Sequence, residues 1–270
     1  MIQLKDLNVR DPYIYSEDGV YYLYASASDR IAFVCYRSRD MAEFEEPVTV
    51  FAPEDGFWAT KDFWAPELHR YGGKYYLFAS LKSDVHPRGT QIFVSDRPDG
   101  RFEPLTEYPV TPCDWECLDG TLYVENGVPY MIFCREWLEI TDGEMYIMEL
   151  APDLKSAASA PVKLFSASSA PWTRPLSANN YITDGPFVIK RNDGYTMLWS
   201  SYSESGYAMG VCESKSLFGP WVHCAEPINK NNGGHGMVLT RDEKDYLVYH
   251  APNDPAGYER VKFMPFEKPV

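Results

Sequence analysis

Three aspartates, Asp11, Asp119 and Asp184, and one histidine, His235, each open one of several similar stretches spread along a chain of 270 residues. Carboxylates brought together repel one another, and a fold normally avoids this unless chemistry or a metal ion uses the arrangement. Two carboxylates across a cleft are what glycoside hydrolysis needs. One donates a proton to the leaving oxygen, and the other activates a water on the opposite face of the sugar. A third can hold the donor protonated. Each aspartate also precedes Pro or Gly, where Asp commonly caps a turn, so residue type alone leaves a structural role open. Chemistry follows only if the fold brings the four together.

The stretches they open supply that fold. Asp11 to Ser26 reads as strand, Gly-containing turn, strand, with apolar residues alternating at period two. The pattern returns 54 positions on at Ala65 to Ser80, and 108 positions on at Asp119 to Cys134. Further copies run from Asp184 to Ser200 and from His235 to His250, and the leading residues of these two are read as standing one place early in their repeats. Strand-like pieces lie between the copies at 31–36, 90–95, 144–150 and 207–213, and several are followed by a turn and a short edge strand. Each unit holds about four strands, the content of one propeller blade. The expectation is an all-β, five-bladed β-propeller forming a single domain over 1–270. Two stacked β-sandwiches would also give short strands and regular turns, but equal spacing of similar hairpins disfavours them. The Ala- and Ser-rich segment Ala157 to Pro175 reads as a long connection between blades. In a propeller the innermost strands line a central channel, so the five leading positions converge.

Composition agrees. The chain carries 20 Tyr, 14 Phe, 7 Trp, 21 Pro and 18 Gly, a mixture that suits strands and turns. Its net charge of −14 repels phosphate backbones and anionic surfaces, so neither nucleic acid nor membrane is expected as a partner. No apolar run approaches the length of a membrane span. The first residues, Met1-Ile-Gln-Leu-Lys-Asp6, lack the basic start and apolar stretch of a signal peptide, which leads to an expected cytoplasmic location. Six cysteines are too sparse for a disulfide scaffold and are read as reduced, mostly buried thiols. There is no nucleophile elbow, phosphate-binding loop or dinucleotide fingerprint, so no nucleotide or redox cofactor is expected.

Five short motifs in order, Arg10-Asp11-Pro12, Trp64-Ala-Pro-Glu67, Leu118-Asp119-Gly120, Thr183-Asp184-Gly-Pro186 and Gly234-His235-Gly236, resemble glycoside hydrolase family 43, a family of five-bladed propellers. The resemblance spans nearly the whole chain. It implies hydrolysis of terminal L-arabinofuranosyl or D-xylosyl residues of plant-type oligosaccharides with inversion. Asp11 would be the general base, Asp119 the modulator of the acid's pKa, and Asp184 the general acid. It also implies that His235 lies on the channel axis near a metal ion, calcium being the expected one. A structural histidine is the alternative there. The family usually has Glu where this chain has Asp184, one methylene shorter. The rival expectation is therefore a sugar-binding propeller of weak or absent activity, and Glu204 is a spare candidate for the acid.

For the sugar, Trp64 is the expected stacking platform, with Phe63, Trp115, Trp137 and Trp172 as candidate walls. Glu67 is a candidate for a sugar hydroxyl. Arg260, in Tyr-Glu-Arg-Val-Lys-Phe, resembles a family arginine reaching the pocket from the last blade, although a charged edge-strand residue is the alternative. The oligomeric state stays open.

Overall fold

The structure is a computed structural model, and it describes residues 1–27 and 31–267. Five antiparallel sheets follow one another along the chain. Blade I contains Tyr13–Glu17, Val20–Ser26, Phe33–Ser38 and Val48–Phe51, and blade II contains Lys61–Tyr71, Lys74–Lys82, Gly89–Ser95 and Glu103–Pro104. Blade III contains Cys117–Glu125, Val128–Arg135, Glu144–Glu149 and Val162–Ser166. Blade IV contains Asp184–Arg191, Gly194–Ser203, Gly206–Ser214 and Val222–His223, and blade V contains Gly234–Arg241, Lys244–Ala251 and Arg260–Pro265. The five-bladed propeller is confirmed. The first hairpins of blades I, II, III and V close through two consecutive residues of positive φ, at Asp18-Gly19, Gly72-Gly73, Asn126-Gly127 and Asp242-Glu243, the turn whose twist matches that of the strands it joins.

Packing explains why the middle strands are apolar on both faces. Successive residues of a strand point to opposite sides, and here each side meets another blade. Leu77 joins the cluster shared with blade I through Phe33 and Phe51, whereas its neighbour Phe78 joins the one shared with blade III through Met131 and Phe133. Ile132 then faces Met197 and Trp199 of blade IV. Leu198 and Leu247 lie in the cluster between blades IV and V, and Ile14 and Val248 in the one between V and I.

Ala157 to Pro175 is not simply a connection. Val162–Ser166 in it pairs with Glu144 to Ile147 as the outer strand of blade III, and Phe165 and Trp172 are buried in the core. Blade V has three strands of its own, and the chain's beginning completes the ring. Asn8 forms a bridge with Arg260, Arg260 Nε donates to the Lys5 carbonyl at 3.1 Å, and Leu7 and Val9 are buried between blades I and V. All six cysteines are free thiols, four of them buried.

Candidate active site

The innermost strands of blades II to V all break register at their start. Two residues bulge between paired positions, after Trp64, Leu118, Asp184 and Gly234. The first bulged residue is left-handed in every case, with φ of 46° at Ala65, 54° at Asp119, 50° at Gly185 and 52° at His235. Asp11 in blade I, at 51°, is the fifth member of the series. Such conformations are costly for residues other than glycine and occur where the surroundings enforce them, commonly at functional sites. His235 is therefore in step with Asp11 and Asp119, contrary to the expected offset. Asp184 alone stands one place early, at the position held by Arg10, Trp64 and Leu118 in other blades.

Both positions face one cavity of about 540 Å³, lined by Asp11, Asp119, Asp184, His235, Arg10 and Trp64 among others. His235 Nδ1 lies 3.3 Å from Asp11 Oδ1 and 3.7 Å from Asp119 Oδ2. Asp119 accepts the Gly185 N–H at 3.0 Å, and its own N–H donates to Ser80 Oγ at 2.8 Å. Asp184 accepts from the Tyr207 hydroxyl at 2.8 Å. Gly185 is required where it is. A Cβ there would come within 2.9 Å of the His235 ring, on top of the strain of positive φ.

The electrostatics follow from crowding buried carboxylates. Burial, reinforced by the charge of Asp119, pushes the Asp184 carboxyl up to about 7, against the opposing pull of His235 and the Tyr207 hydrogen bond. Asp119 is also raised, chiefly by burial, with His235 opposing and Asp11 adding to it. Burial works against a charged His235, but Asp11 and Asp119 outweigh it and its pKa is raised. Crowding thus favours the protonated form of the buried carboxyls, and the carboxylates favour the protonated form of His235.

The other candidate residues divide. Trp64 lines the cavity, its ring backed at 4.1 Å by the Arg88 guanidinium, which also pairs with Asp62 and Glu136. Trp137 lines it as well. Phe63 does not. It points the opposite way from Trp64, is fully buried, and packs on Phe33 and Phe51. Trp172 packs on Trp199 inside the core, and Trp115 lies against Arg135 and Tyr146. Glu67 is buried beside His69 at 3.3 Å and reaches the site through its charge, which raises His235. Arg260 closes the ring rather than reaching the cavity, and Glu204 pairs with Arg174 on an exposed edge. Arg10, Tyr207, Glu136 and Glu259 line the cavity without having been singled out. Arg10 and Glu259, each inside a motif already picked out, left a sequence signal.

Calcium takes six to eight oxygen ligands. Among the described residues no three His, Cys, Asp or Glu side chains form a set able to hold a metal ion, and His235 Nδ1 is engaged by Asp11 and Asp119. The protein groups present do not make a calcium cage.

A β-propeller whose blade starts converge three carboxylates on a sugar-sized cavity defines a glycosidase-type site. The chain matches the profile of Glycosyl hydrolases family 43 over residues 5–264, and it belongs to that family of glycoside hydrolases. It is 27% identical to alpha-L-arabinofuranosidase 43 of Humicola insolens over 96% of this chain and 57% of that protein. It is 33% identical to a beta-xylosidase of Xylanibacter ruminicola over 80% and 75%. Among solved structures, an endo-arabinase from Bacteroides thetaiotaomicron superposes with a TM-score of 0.94 at 38% identity, covering 99% of this chain and 97% of that one. The chain spans a little over half the length of the Humicola insolens relative. The cytoplasmic expectation is overturned. Relatives from Streptomyces chartreusis, 27% identical over 89% of this chain and 79% of that protein, and from Cellvibrio japonicus, 24% identical over 96% and 84%, are named extracellular exo-alpha-(1->5)-L-arabinofuranosidases.

Proposed function

We propose that the chain cleaves terminal L-arabinofuranosyl or D-xylosyl residues from plant-type oligosaccharides with inversion of the anomeric centre. Asp184 is the general acid, Asp11 the general base and Asp119 the group that keeps the acid protonated. The observation that carries the reading is the Asp184 carboxyl, on the cavity wall with its pKa raised to about 7 by burial and by Asp119. A carboxylic acid at that value holds its proton at working pH and still gives it up readily. In the reaction Asp184 protonates the glycosidic oxygen as the bond to the anomeric carbon breaks. Water attacks the opposite face of the sugar and loses its proton to Asp11. The product is the inverted hemiacetal, and Asp184 regains a proton from solvent. Arg10 and the exposed face of Trp64 hold the sugar. The retained acid, in a chain of a hydrolase family, weighs against the purely sugar-binding alternative.

The test is hydrolysis of aryl α-L-arabinofuranoside and β-D-xyloside by the wild type and by Asp11→Asn, with the first-formed anomer read by NMR. Turnover lost in the variant and an inverted product support the reading, and a retained anomer refutes it. A second reading, cleavage inside an arabinan chain, is favoured by the name of the Bacteroides thetaiotaomicron structure. Products of linear arabinan separate the two, monosaccharide for the first and a ladder of oligomers for the second.

A further inference from the structure

In blades II, IV and V the second strand carries, towards its end, a residue whose side chain accepts the N–H of the bulged residue of the next blade. Ser80 Oγ accepts the N–H of Asp119 and Ser200 Oγ that of His235, both at 2.8 Å. At the same place in blade V stands His250, paired with Gly234 as Ser200 is with Asp184. It accepts the N–H of Asp11 on Nδ1 at 3.2 Å. A histidine is larger than this backbone bond requires, and it is fully buried.

Its surroundings fix which nitrogen carries the proton. Arg10 Nη2 donates to Asn253 Oδ1 at 2.6 Å, and Asn253 Nδ2 donates to Asp254 Oδ2 at 2.8 Å. An arginine can only donate and a carboxylate can only accept, so the Asn253 amide has one orientation. Its oxygen faces His250 Nε2 at 3.2 Å, which places the proton on Nε2 and leaves Nδ1 for the Asp11 amide. Asp11 Oδ1 lies 3.3 Å from that same Nδ1, whose lone pair is already used, so His250 gives the carboxylate no proton bond. The far face of the ring stacks on Tyr207, with centroids 5.9 Å apart and planes at 22°, and Tyr207 holds Asp184.

We infer that His250, with Asn253 behind it, is a positioning residue for Asp11. It fixes the backbone of that carboxylate by accepting from its amide while leaving the carboxylate oxygens undisturbed, and its stacking on Tyr207 ties this geometry to that of Asp184. The inference rests on the proposed role of Asp11 as base. His235, His250 and Arg10 are among the groups facing Asp11, with Asp119 beyond His235, and Asp184 and Tyr207 also feel its charge. Burial keeps His250 neutral, its pKa lowered to about 4.

The experiment compares wild type, His250→Ser, His250→Asn and Asn253→Ala. Serine copies the acceptor used in blades II and IV, and asparagine keeps an acceptor near Nδ1 but has no Nε2 proton. All should fold, checked by thermal melting. On an aryl arabinofuranoside, kcat should fall roughly ten- to a hundredfold in each, as expected of a displaced reacting group, since serine and asparagine keep an acceptor but lose the stacking on Tyr207 that ties Asp11 to Asp184. KM should stay within about twofold in the two His250 variants, and the acidic limb of kcat/KM should not move. An unchanged kcat overturns the inference, as does an acidic limb displaced by a unit, which would mean that His250 donates to the carboxylate. Nitrogen-15 spectra of labelled histidine in the wild type read the tautomer without turnover. Protonated Nε2 supports the assignment and protonated Nδ1 overturns it, so a failure of the proposed reaction is told apart from a failure of this inference.

Discussion

Asp119 and Asp184 open neighbouring blades, both with raised pKa, yet the ring uses them differently because they are one residue apart in the repeat. Asp119 occupies the bulged, left-handed position, and its oxygens accept from the Gly185 amide and, at 3.4 Å, from the Ser80 hydroxyl. It is almost sealed from solvent, its side chain 3% exposed. Asp184 stands one place earlier, in regular pairing with Ser200, on the cavity wall and with Tyr207 on one oxygen. In blade IV the left-handed place has passed to Gly185, which lets that blade press against His235. A single residue of offset thus leaves one carboxylate sealed among backbone and hydroxyl donors and its neighbour on the cavity wall.

The largest test of this contrast removes the acid. Asp184→Asn should lower kcat/KM on oligosaccharide roughly 10²- to 10⁴-fold, the range of general acid catalysis. Asp119→Asn should cost less in kcat, about ten- to a hundredfold on the same scale, but it should move the pH profile. Asp119's charge raises Asp184, so neutralising it lets the acid ionise sooner and shifts the falling basic limb to lower pH. In the wild type that limb should fall through about 7, where Asp184 loses its proton.

Gly185→Ala tests the offset itself. The left-handed backbone and a Cβ within 2.9 Å of His235 should destabilise the fold by about 1–3 kcal/mol, read as a fall in Tm. Tyr207→Phe is the smallest change. The hydroxyl stabilises the Asp184 carboxylate, so its loss should move the basic limb up, in the opposite sense to Asp119→Asn. Stability carries the same sign. A carboxyl with raised folded pKa contributes most below the ordinary carboxylate range, and the contribution is lost as pH rises through about 7. The Tm of Asp184→Asn relative to wild type should therefore climb between pH 5 and pH 8.

The repeat made the propeller legible, since equal spacing of hairpins with period-two alternation has few other solutions. Asp11, Asp119 and His235 were legible for the same reason, because a leading position reused in several copies must converge. The walls were not. Phe63 and Trp64 are adjacent, and which of them faces the cavity depends on the pleat and the bulge rather than on residue type. Arg260 is drawn into closing the ring through the bridge from Asn8 and the bond to the Lys5 carbonyl, while Arg10 lines the cavity, and that closure is a property of the whole ring rather than of either motif. Tyr207 and His250 lie on third and second strands, where their aromatic rings read as core. Val162–Ser166 was hidden by the small residues on either side of it.

The dependence of activity on the leaving group tests the roles of Asp184 and Asp11 most directly. With Asp11→Asn, turnover should fall by the same factor on an aryl arabinofuranoside with a strongly activated phenol and on an unactivated arabino-oligosaccharide, because the base acts on water. With Asp184→Asn, the loss should be severe on the oligosaccharide and less than about tenfold on the activated phenol, which departs without a proton. Equal losses on both substrates in Asp184→Asn would contradict its assignment as the proton donor.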